Sequence, residues 1–145
     1  MKFKLLIKPN EEEMVQAQLH RTSKFSKQLE EFVMNDGKNN SLIGFDEDKE
    51  IAYLNLDDIS IVTVIDGKTY AILNNNQKYW LKQRLYQVAD QLPNYFFKIN
   101  KSSIVNRRQI EKFTISSGAG INIIMKNHIT DYVSRRCFAK IRREL

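Results

Sequence analysis

Apolar residues recur at the spacing of an amphipathic helix in two parts of the chain. The first set consists of Phe25, Leu29, Phe32 and Val33. Residues three and four positions apart share one face of a helix. The candidate caps Thr22 and Ser23 stand before this set, and Gly37 follows it. The spacing predicts a helix over residues 24–35 that packs by one face.

The second set consists of Leu81, Leu85, Val88, Ala89 and Leu92. Pro93 ends it, because proline lacks an N–H and disfavours helix in the residue before it. This pattern predicts a helix over about residues 80–91. A short third helix is expected after Ser134, with its apolar side formed by Phe138, Ile141 and Leu145.

Alternating and β-branched runs predict strands through most of the remaining chain. The clearest is a hairpin within residues 60–73, whose two apolar runs flank Asp66-Gly67, a pair suited to a tight turn with positive φ. Further strands are predicted at 51–56, 95–99, 103–106, 110–115, 121–126 and 128–133. Near the N-terminus, residues 3–7 and 14–19 are expected to form two short strands beside the first helix.

Turn-forming residues cluster at positions 35–41, between the first helix and the strand-rich remainder. The sequence therefore predicts a mainly β (α+β) protein in two parts. A small ββα extension occupies residues 1–44. A multi-stranded β domain with a short helix occupies residues 45–145.

Composition and charge narrow the class of protein. The 145 residues are 42% hydrophobic and 28% charged, which is typical of a globular chain. The lone Cys137 cannot form an intramolecular disulfide, and the N-terminal apolar run is too short for a signal peptide, so we expect a soluble cytoplasmic protein.

The net charge of +6 is unevenly distributed, because residues 96–145 carry 11 Lys and Arg against 3 Asp and Glu. This basic final third of the chain indicates a polyanionic partner.

Few groups in the chain are suited to catalysis. His20 and His128 lie far apart in sequence, and neither stands in a nucleophile or metal arrangement. The acidic clusters lack the spacing of a calcium loop, and the glycines lack the continuation of a phosphate-binding loop. We therefore expect no enzyme activity, no metal and no cofactor, and an apolar packing role for Cys137.

Residues 96–110 interrupt an apolar, β-branched run with small polar and basic side chains. These are Lys98, Asn100, Lys101, Ser102, Ser103, Asn106, Arg107 and Arg108. A buried strand does not need them, whereas cations for phosphates and neutral donors for positioning are typical of a nucleic-acid surface. Asn106 alone is expected to be structural, because a strand-end amide can satisfy the backbone groups of a neighbouring loop.

The same segment, Phe-Phe-Lys-Ile-Asn-Lys-Ser-Ser-Ile-Val-Asn over residues 96–106, resembles the LytTR DNA-binding domain of bacterial transcription regulators. The preceding Leu92-Pro93 and the following Val133-Ser134-Arg135-Arg136 stand in the family's order. The resemblance covers about residues 45–145. It implies a mostly β, elongated fold that regulates transcription by placing loops in successive major grooves. The implied DNA sites are promoters with paired short direct repeats.

The resemblance also implies roles for individual residues. Base contacts fall on Lys68, Thr69, Asn100, Lys101 and Arg136. Phosphate contacts fall on Ser102, Tyr132, Ser134 and Arg135. Several relatives have His where this chain has Thr69 or Asn100, so the resemblance implies no particular target sequence.

The N-terminal 44 residues are too few for the phosphate-accepting receiver domain that many LytTR regulators carry. The layout instead resembles compact LytTR regulators with a short ββα extension, some of which are inhibited by a small partner membrane protein. Such an inhibitor, and a second copy of the chain on DNA, are the protein partners that the resemblance implies.

Two other functions fit part of the pattern. An RNA-binding β module would share the basic residues and could stack bases on Tyr95, Phe96, Phe97 and Tyr132, although aromatic residues in such strands are more often core. A small RNA-cleaving enzyme would use His128 with nearby cations. Competition between duplex DNA and single-stranded RNA separates the two binding hypotheses.

Overall fold

The computed structural model describes residues 1–34, 41–116, 118 and 120–144. The chain divides into two compact units, residues 1–37 and 38–145. Apart from Ser41, the predicted boundary cluster at 35–41 lies outside the described residues. None of the helices in these ranges is both long enough and apolar enough to cross a membrane.

The N-terminal unit contains one helix, α1 (Lys24–Met34), close to its predicted bounds. Ser23 and Ser26 fix its start, because each backbone N–H donates to the hydroxyl of the other. The strands predicted at 3–7 and 14–19 are wrong for this structure, since both stretches lack regular structure. Two short strands alone cannot bury an apolar face, and Phe3 and Ile7 are exposed here.

The C-terminal unit is built mainly of strands, as predicted. The strands are β1 (Ser41–Phe45), β2 (Ile51–Asn55), β3 (Ile59–Ile65), β4 (Lys68–Leu73), β5 (Lys78–Leu81), β6 (Phe96–Asn100), β7 (Ser103–Asn106), β8 (Ile110–Ser116), β9 (Gly120–Met125) and β10 (Thr130–Val133). The helices are α2 (Leu85–Gln91) and α3 (Arg135–Glu144). The mainly β fold class is therefore confirmed.

Seven strands form an antiparallel sheet in the order β2-β1-β5-β4-β3-β7-β6. The β3–β4 hairpin closes at Asp66 and Gly67, which have φ values of 50° and 78° and so take the positive-φ turn expected of this pair. Strands β8, β9 and β10 form a second, three-stranded sheet.

Strands β3 and β7 have both faces covered, so Ser60, Ser103 and Asn106 are buried together with their apolar neighbours. One face carries Val62 and Ile104 into a core with Val88 of α2. The other face carries Ile61 and Val105 into a second core. That core also contains Ile99, Ile123, Met125, Val133 and Ile141. The central sheet is therefore packed between α2 on one side and the small sheet with α3 on the other.

Two strands were not predicted. Residues 78–81, where the helical pattern was expected to begin, pair with residues 69–72 as strand β5, so α2 begins only at Leu85. Tyr79 and Trp80 are good strand formers, and Leu81 enters the core from a strand. Strand β1 lies mostly before the predicted domain boundary at residue 44, yet it pairs with β2 and β5 of the C-terminal unit.

Candidate nucleic-acid interface

Three connections lie together at one end of the central sheet. The β6–β7 turn touches β3, because the Val64 N–H donates to the Ser102 carbonyl at 2.9 Å. Val64 is two residues from the Asp66-Gly67 turn, so the two turns are neighbours. The β10–α3 junction joins them, since the Ser134 N–H donates to the Ile99 carbonyl at 2.8 Å.

Asn100 holds the β6–β7 turn in shape. Its side chain is only 1% exposed. Its amide donates to the Tyr132 carbonyl at 2.9 Å, and its side-chain oxygen accepts the Ser102 N–H at 2.8 Å. Both ends of the amide are thus used inside the protein, which does not fit the base contact expected of Asn100. The neighbouring Lys101 is exposed at the tip of the turn.

A short polar chain fixes the adjoining strands. The Ser103 hydroxyl donates to Asp131 at 2.6 Å and lies 2.8 Å from the Thr63 hydroxyl. The other carboxylate oxygen of Asp131 accepts the Tyr132 N–H at 2.8 Å. Strands β3, β7 and β10 are therefore tied beneath the turn, and the half-exposed Tyr132 is held beside it. Sequence reasoning missed Asp131, although it is one of only three acids among residues 96–145.

The first turn of α3 places two arginines at the same end. Ser134 caps the helix, because its hydroxyl accepts the Cys137 N–H at 3.1 Å and its carbonyl accepts the Phe138 N–H at 2.8 Å. Arg135 and Arg136 follow it and are both exposed. A helix N-terminus already carries positive potential, and two cations there raise it further. The junction therefore favours an anion such as a phosphate.

A surface groove of about 770 Å³ joins the β6–β7 turn to α3. Four predicted site residues line it, namely Lys101, Tyr132, Ser134 and Arg136. Lys98 and Lys140 add two further cations, and Cys137 lies in its wall. The structure thus brings together predicted base-contacting and phosphate-contacting residues that are up to 35 positions apart in sequence.

Lys68 and Thr69 lie on the neighbouring hairpin and not in the groove. Lys68 is exposed at the start of β4, with its Nζ 5.9 Å from the centre of the Trp80 ring. Thr69 is only 6% exposed and pairs with Val64 and Leu81 on the adjoining strands. Lys68 is therefore available to a ligand at this end of the sheet, whereas the burial of Thr69 does not fit a base contact.

The last residues of the polar and basic segment 96–110, from Asn106 onward, lie at the end of β7 opposite the β6–β7 turn. Asn106 is fully buried, and its amide bridges the Ile59 carbonyl and the Arg108 N–H at 2.9 and 3.0 Å. This confirms its expected structural role.

Arg108 stacks 3.9 Å from the centre of the Tyr95 ring and pairs with Asp57 at 3.3 Å. Burial and the nearby Asp57 carboxylate raise the pKa of the Tyr95 hydroxyl above 10.0. The predicted row of donors is therefore not one continuous surface.

The aromatic residues named for the RNA-binding alternative differ in their accessibility. Phe96 is buried in the core, and Tyr95 is covered by Arg108. Phe97 and the half-exposed Tyr132 both line the groove. His128 occupies the β9–β10 turn with φ 72°, and it does not line the groove. Among the described residues, no cluster of His, Cys, Asp or Glu could hold a metal ion.

Comparison with known proteins agrees with this description. Residues 49–145 match the family model for the LytTr DNA-binding domain. Over its whole length, the chain is 36% identical to an uncharacterized HTH-type transcriptional regulator of Staphylococcus aureus strain NCTC 8325, of which it covers 98%. Over 74% of its length, it is 39% identical to another such regulator from strain MSSA476, of which it covers 72%.

A solved LytTr DNA-binding domain from Bacillus cereus superposes with a TM-score of 0.66 at 19% identity. The match covers 72% of this chain and 95% of that one. The fold and the basic groove thus define a β-rich nucleic-acid-binding protein. The chain belongs to the LytTR DNA-binding domain family, which is a family of DNA-binding transcriptional regulators and not a class of enzymes.

Proposed function

We propose that this protein regulates transcription by reading duplex DNA with the three connections at one end of its central sheet. The observation that carries this proposal is the groove in which Lys101, Tyr132, Ser134 and Arg136 meet. The Asp66-Gly67 turn and Lys68 lie beside it. Three neighbouring projections suit successive major grooves along one side of a duplex, and the proposed sites are paired short repeats in promoters.

The exposed cations are the proposed base readers. Arg136 can donate to guanine O6 and N7 together, and Lys101 and Lys68 favour the same guanine acceptors. Arg135, Ser102, Ser134 and Tyr132 are the proposed phosphate contacts, because they surround the readers with a cation and neutral donors. Asn100 and Thr69 are proposed to shape the loops, since both side chains are buried.

A recognition helix is not part of the proposal. A helix-turn-helix needs two successive helices joined by a short turn. Within the described residues, strands β6 to β10 all lie between α2 and α3. The loops, together with the exposed first turn of α3, are therefore the elements proposed to enter the DNA.

Selection of bound fragments from a random duplex library tests this proposal. The expected result is a motif of two short repeats, and a single isolated motif would contradict the proposed paired site. A competition with single-stranded RNA accompanies the selection. If RNA displaces the selected duplex at equal concentration, the alternative RNA-binding function is favoured instead.

Arg136→Ala and Lys101→Ala are the informative variants in the same assay. Lys112→Ala is the matched control, because Lys112 is exposed on β8 and does not line the groove. We expect the first two variants to relax the selected motif, each at one position. The control should select the parent motif.

The N-terminal unit is proposed to contact proteins and not DNA. Residues 1–37 carry 6 Lys and Arg against 6 Asp and Glu, so this unit lacks the net positive charge that suits a duplex. Its proposed partners are a second copy of the chain on DNA and a small membrane protein that acts as an inhibitor. Deletion of residues 1–37 should leave the selected half-site unchanged while altering self-association or the response to a partner.

A further inference from the structure

Residues 1–34 leave nearly all of their apolar side chains uncovered. No residue of this stretch is buried. Phe3 is 90% exposed, Phe25 47% and Phe32 52%. A helix of 11 residues is marginal in water without tertiary packing, and so small a unit cannot build a sufficient core of its own. Residues 1–34 therefore cannot cover these apolar side chains by themselves.

The sequence before α1 carries two patterns that the single chain does not use. Apolar residues alternate with polar ones at Val15, Ala17 and Leu19, and Phe3, Leu5 and Ile7 would share one side of an extended chain, with the apolar Leu6 on the other side. Such alternation is typical of half-buried strands. Independent stability, however, requires three or more strands or a helix to cover them. Two copies would supply four strands and two helices, which meets this requirement without any other partner.

The charges of α1 favour a second copy of the same helix. Lys24 and Lys27 lie in its first half, whereas Glu30 and Glu31 lie in its second half. This order is the reverse of the one that stabilises an isolated helix, because cations are unfavourable near the N-terminus and acids near the C-terminus. An antiparallel copy would place the lysines of each helix beside the glutamates of the other. It would also align the two helix dipoles in opposite directions.

The exposed apolar area is large enough for such an interface. With about 150–250 Å² for each aromatic side chain, Phe3, Phe25 and Phe32 together expose on the order of 400 Å² per copy. A standard interface takes about 800 Å² from each partner. Leu5, Ile7, Met14 and Val15 are each at least 65% exposed and can supply the remainder.

We infer that residues 1–34 of two chains fold together into a homodimer, with α1 antiparallel to its counterpart and residues 3–7 and 14–19 forming strands only on association. Two DNA-binding units held in this way would suit the paired repeats of the proposed function. The inference itself concerns the protein without DNA, so its failure is distinguishable from a failure of DNA reading.

Sedimentation equilibrium of the full chain without DNA provides the first test. We expect a reversible monomer–dimer equilibrium, and the double variant Phe25→Asp, Leu29→Asp should raise the dimer Kd at least tenfold. Tyr53→Ser is the control, because Tyr53 is an exposed aromatic residue, at 78%, in the C-terminal unit. A parent chain that stays monomeric, or a dimer that only the control dissociates, would overturn the inference.

A charge exchange tests the antiparallel arrangement with variants that keep the apolar face intact. One variant carries Lys24→Glu and Lys27→Glu, and the other carries Glu30→Lys and Glu31→Lys. Each alone should dimerise several-fold more weakly than the parent, and their equimolar mixture should regain the parent affinity. If each charge variant alone formed a homodimer as tight as the parent dimer, antiparallel pairing would be excluded.

Hydrogen exchange tests the coupled folding. Amides within 3–7 and 14–19 should be protected at concentrations where the dimer dominates and should lose protection on dilution. Amides of the central sheet should stay protected throughout, which verifies that the C-terminal unit remains folded. Concentration-independent protection of 3–7 and 14–19 would show that a single chain covers these residues and would refute the inference.

Discussion

The side-chain amide of Asn100 donates a hydrogen bond of 2.9 Å to the backbone carbonyl of Tyr132. The two residues are 32 positions apart, and the bond joins the β6–β7 turn to the last strand. Because the Asn100 oxygen also accepts the Ser102 N–H, one buried side chain determines where Lys101 projects. The position of a proposed base reader thus depends on a side chain that is itself inaccessible to DNA.

Asn100→Ala should therefore weaken both the fold and the DNA complex. The change leaves the Tyr132 carbonyl and the Ser102 N–H without their partner, at a cost of about 1–3 kcal/mol in the free energy of unfolding. Affinity for the selected duplex should fall together with the stability, because the turn that carries Lys101 loses its support. Denaturant unfolding and binding to selected and scrambled duplexes measure the two effects. Unchanged stability combined with altered base preference would return Asn100 to the group of base readers.

Arg136→Ala should reduce the discrimination between duplex sequences more than it reduces the affinity for duplex DNA in general. Loss of a bidentate base contact removes on the order of 1–3 kcal/mol of discrimination at one base position. Titration of the selected duplex and of single-base variants measures this loss. Lys112→Ala removes the same charge elsewhere and should bind as the parent does. Equal discrimination by Arg136→Ala and the parent would show that Arg136 does not read a base.

Arg135→Ala should change the salt dependence and leave the base preference intact. Each phosphate neutralised by a cation contributes about −0.9 to the slope of log K against log salt concentration. The slope for the variant should therefore be shallower by about one unit. Affinity measured across a series of salt concentrations gives this value. A slope equal to that of the parent would place Arg135 away from the phosphates.

Asn106→Ala should affect stability alone. Its amide satisfies the Ile59 carbonyl and the Arg108 N–H at the end of β7 opposite the β6–β7 turn. We expect a loss of about 1–3 kcal/mol in the free energy of unfolding. Below the unfolding transition, the selected motif should be unchanged. A shifted motif would mean that this end of the sheet also approaches DNA.

Local patterns were sufficient to predict the elements whose signals lie close together in sequence. The pair Asp66-Gly67 predicts a tight turn from its own residue types, and the β-branched pair Ile104-Val105 predicts a strand at 103–106. The start of α2 was misplaced, because Leu81 fits helical spacing and also enters the core from a strand. Whether Leu81 belongs to a helix or to a strand is decided only by the pairing of β5 with β4, which is a tertiary interaction.

The candidate site was predictable in its exposed residues and not in its buried ones. Lys101 and Arg136 follow from charge and resemblance, and the structure places both on one groove. Burial of Asn100 and Thr69 depends on neighbouring strands, and the partner of Ser103 is Asp131, which is 28 positions away. Hydrogen bonds over such distances leave no periodic signal in a single sequence.

The division between buried supports and exposed residues that are proposed base readers has a consequence for how such a regulator could diversify. Surface positions tolerate replacement at little folding cost, usually within about 0.5 kcal/mol. Lys68, Lys101 and Arg136 occupy such positions, whereas the loop shapes rest on Asn100 and on the Thr63, Ser103 and Asp131 chain. A duplicated copy of this gene could therefore acquire a new set of promoters through a few substitutions at the loop tips while its scaffold stays constant.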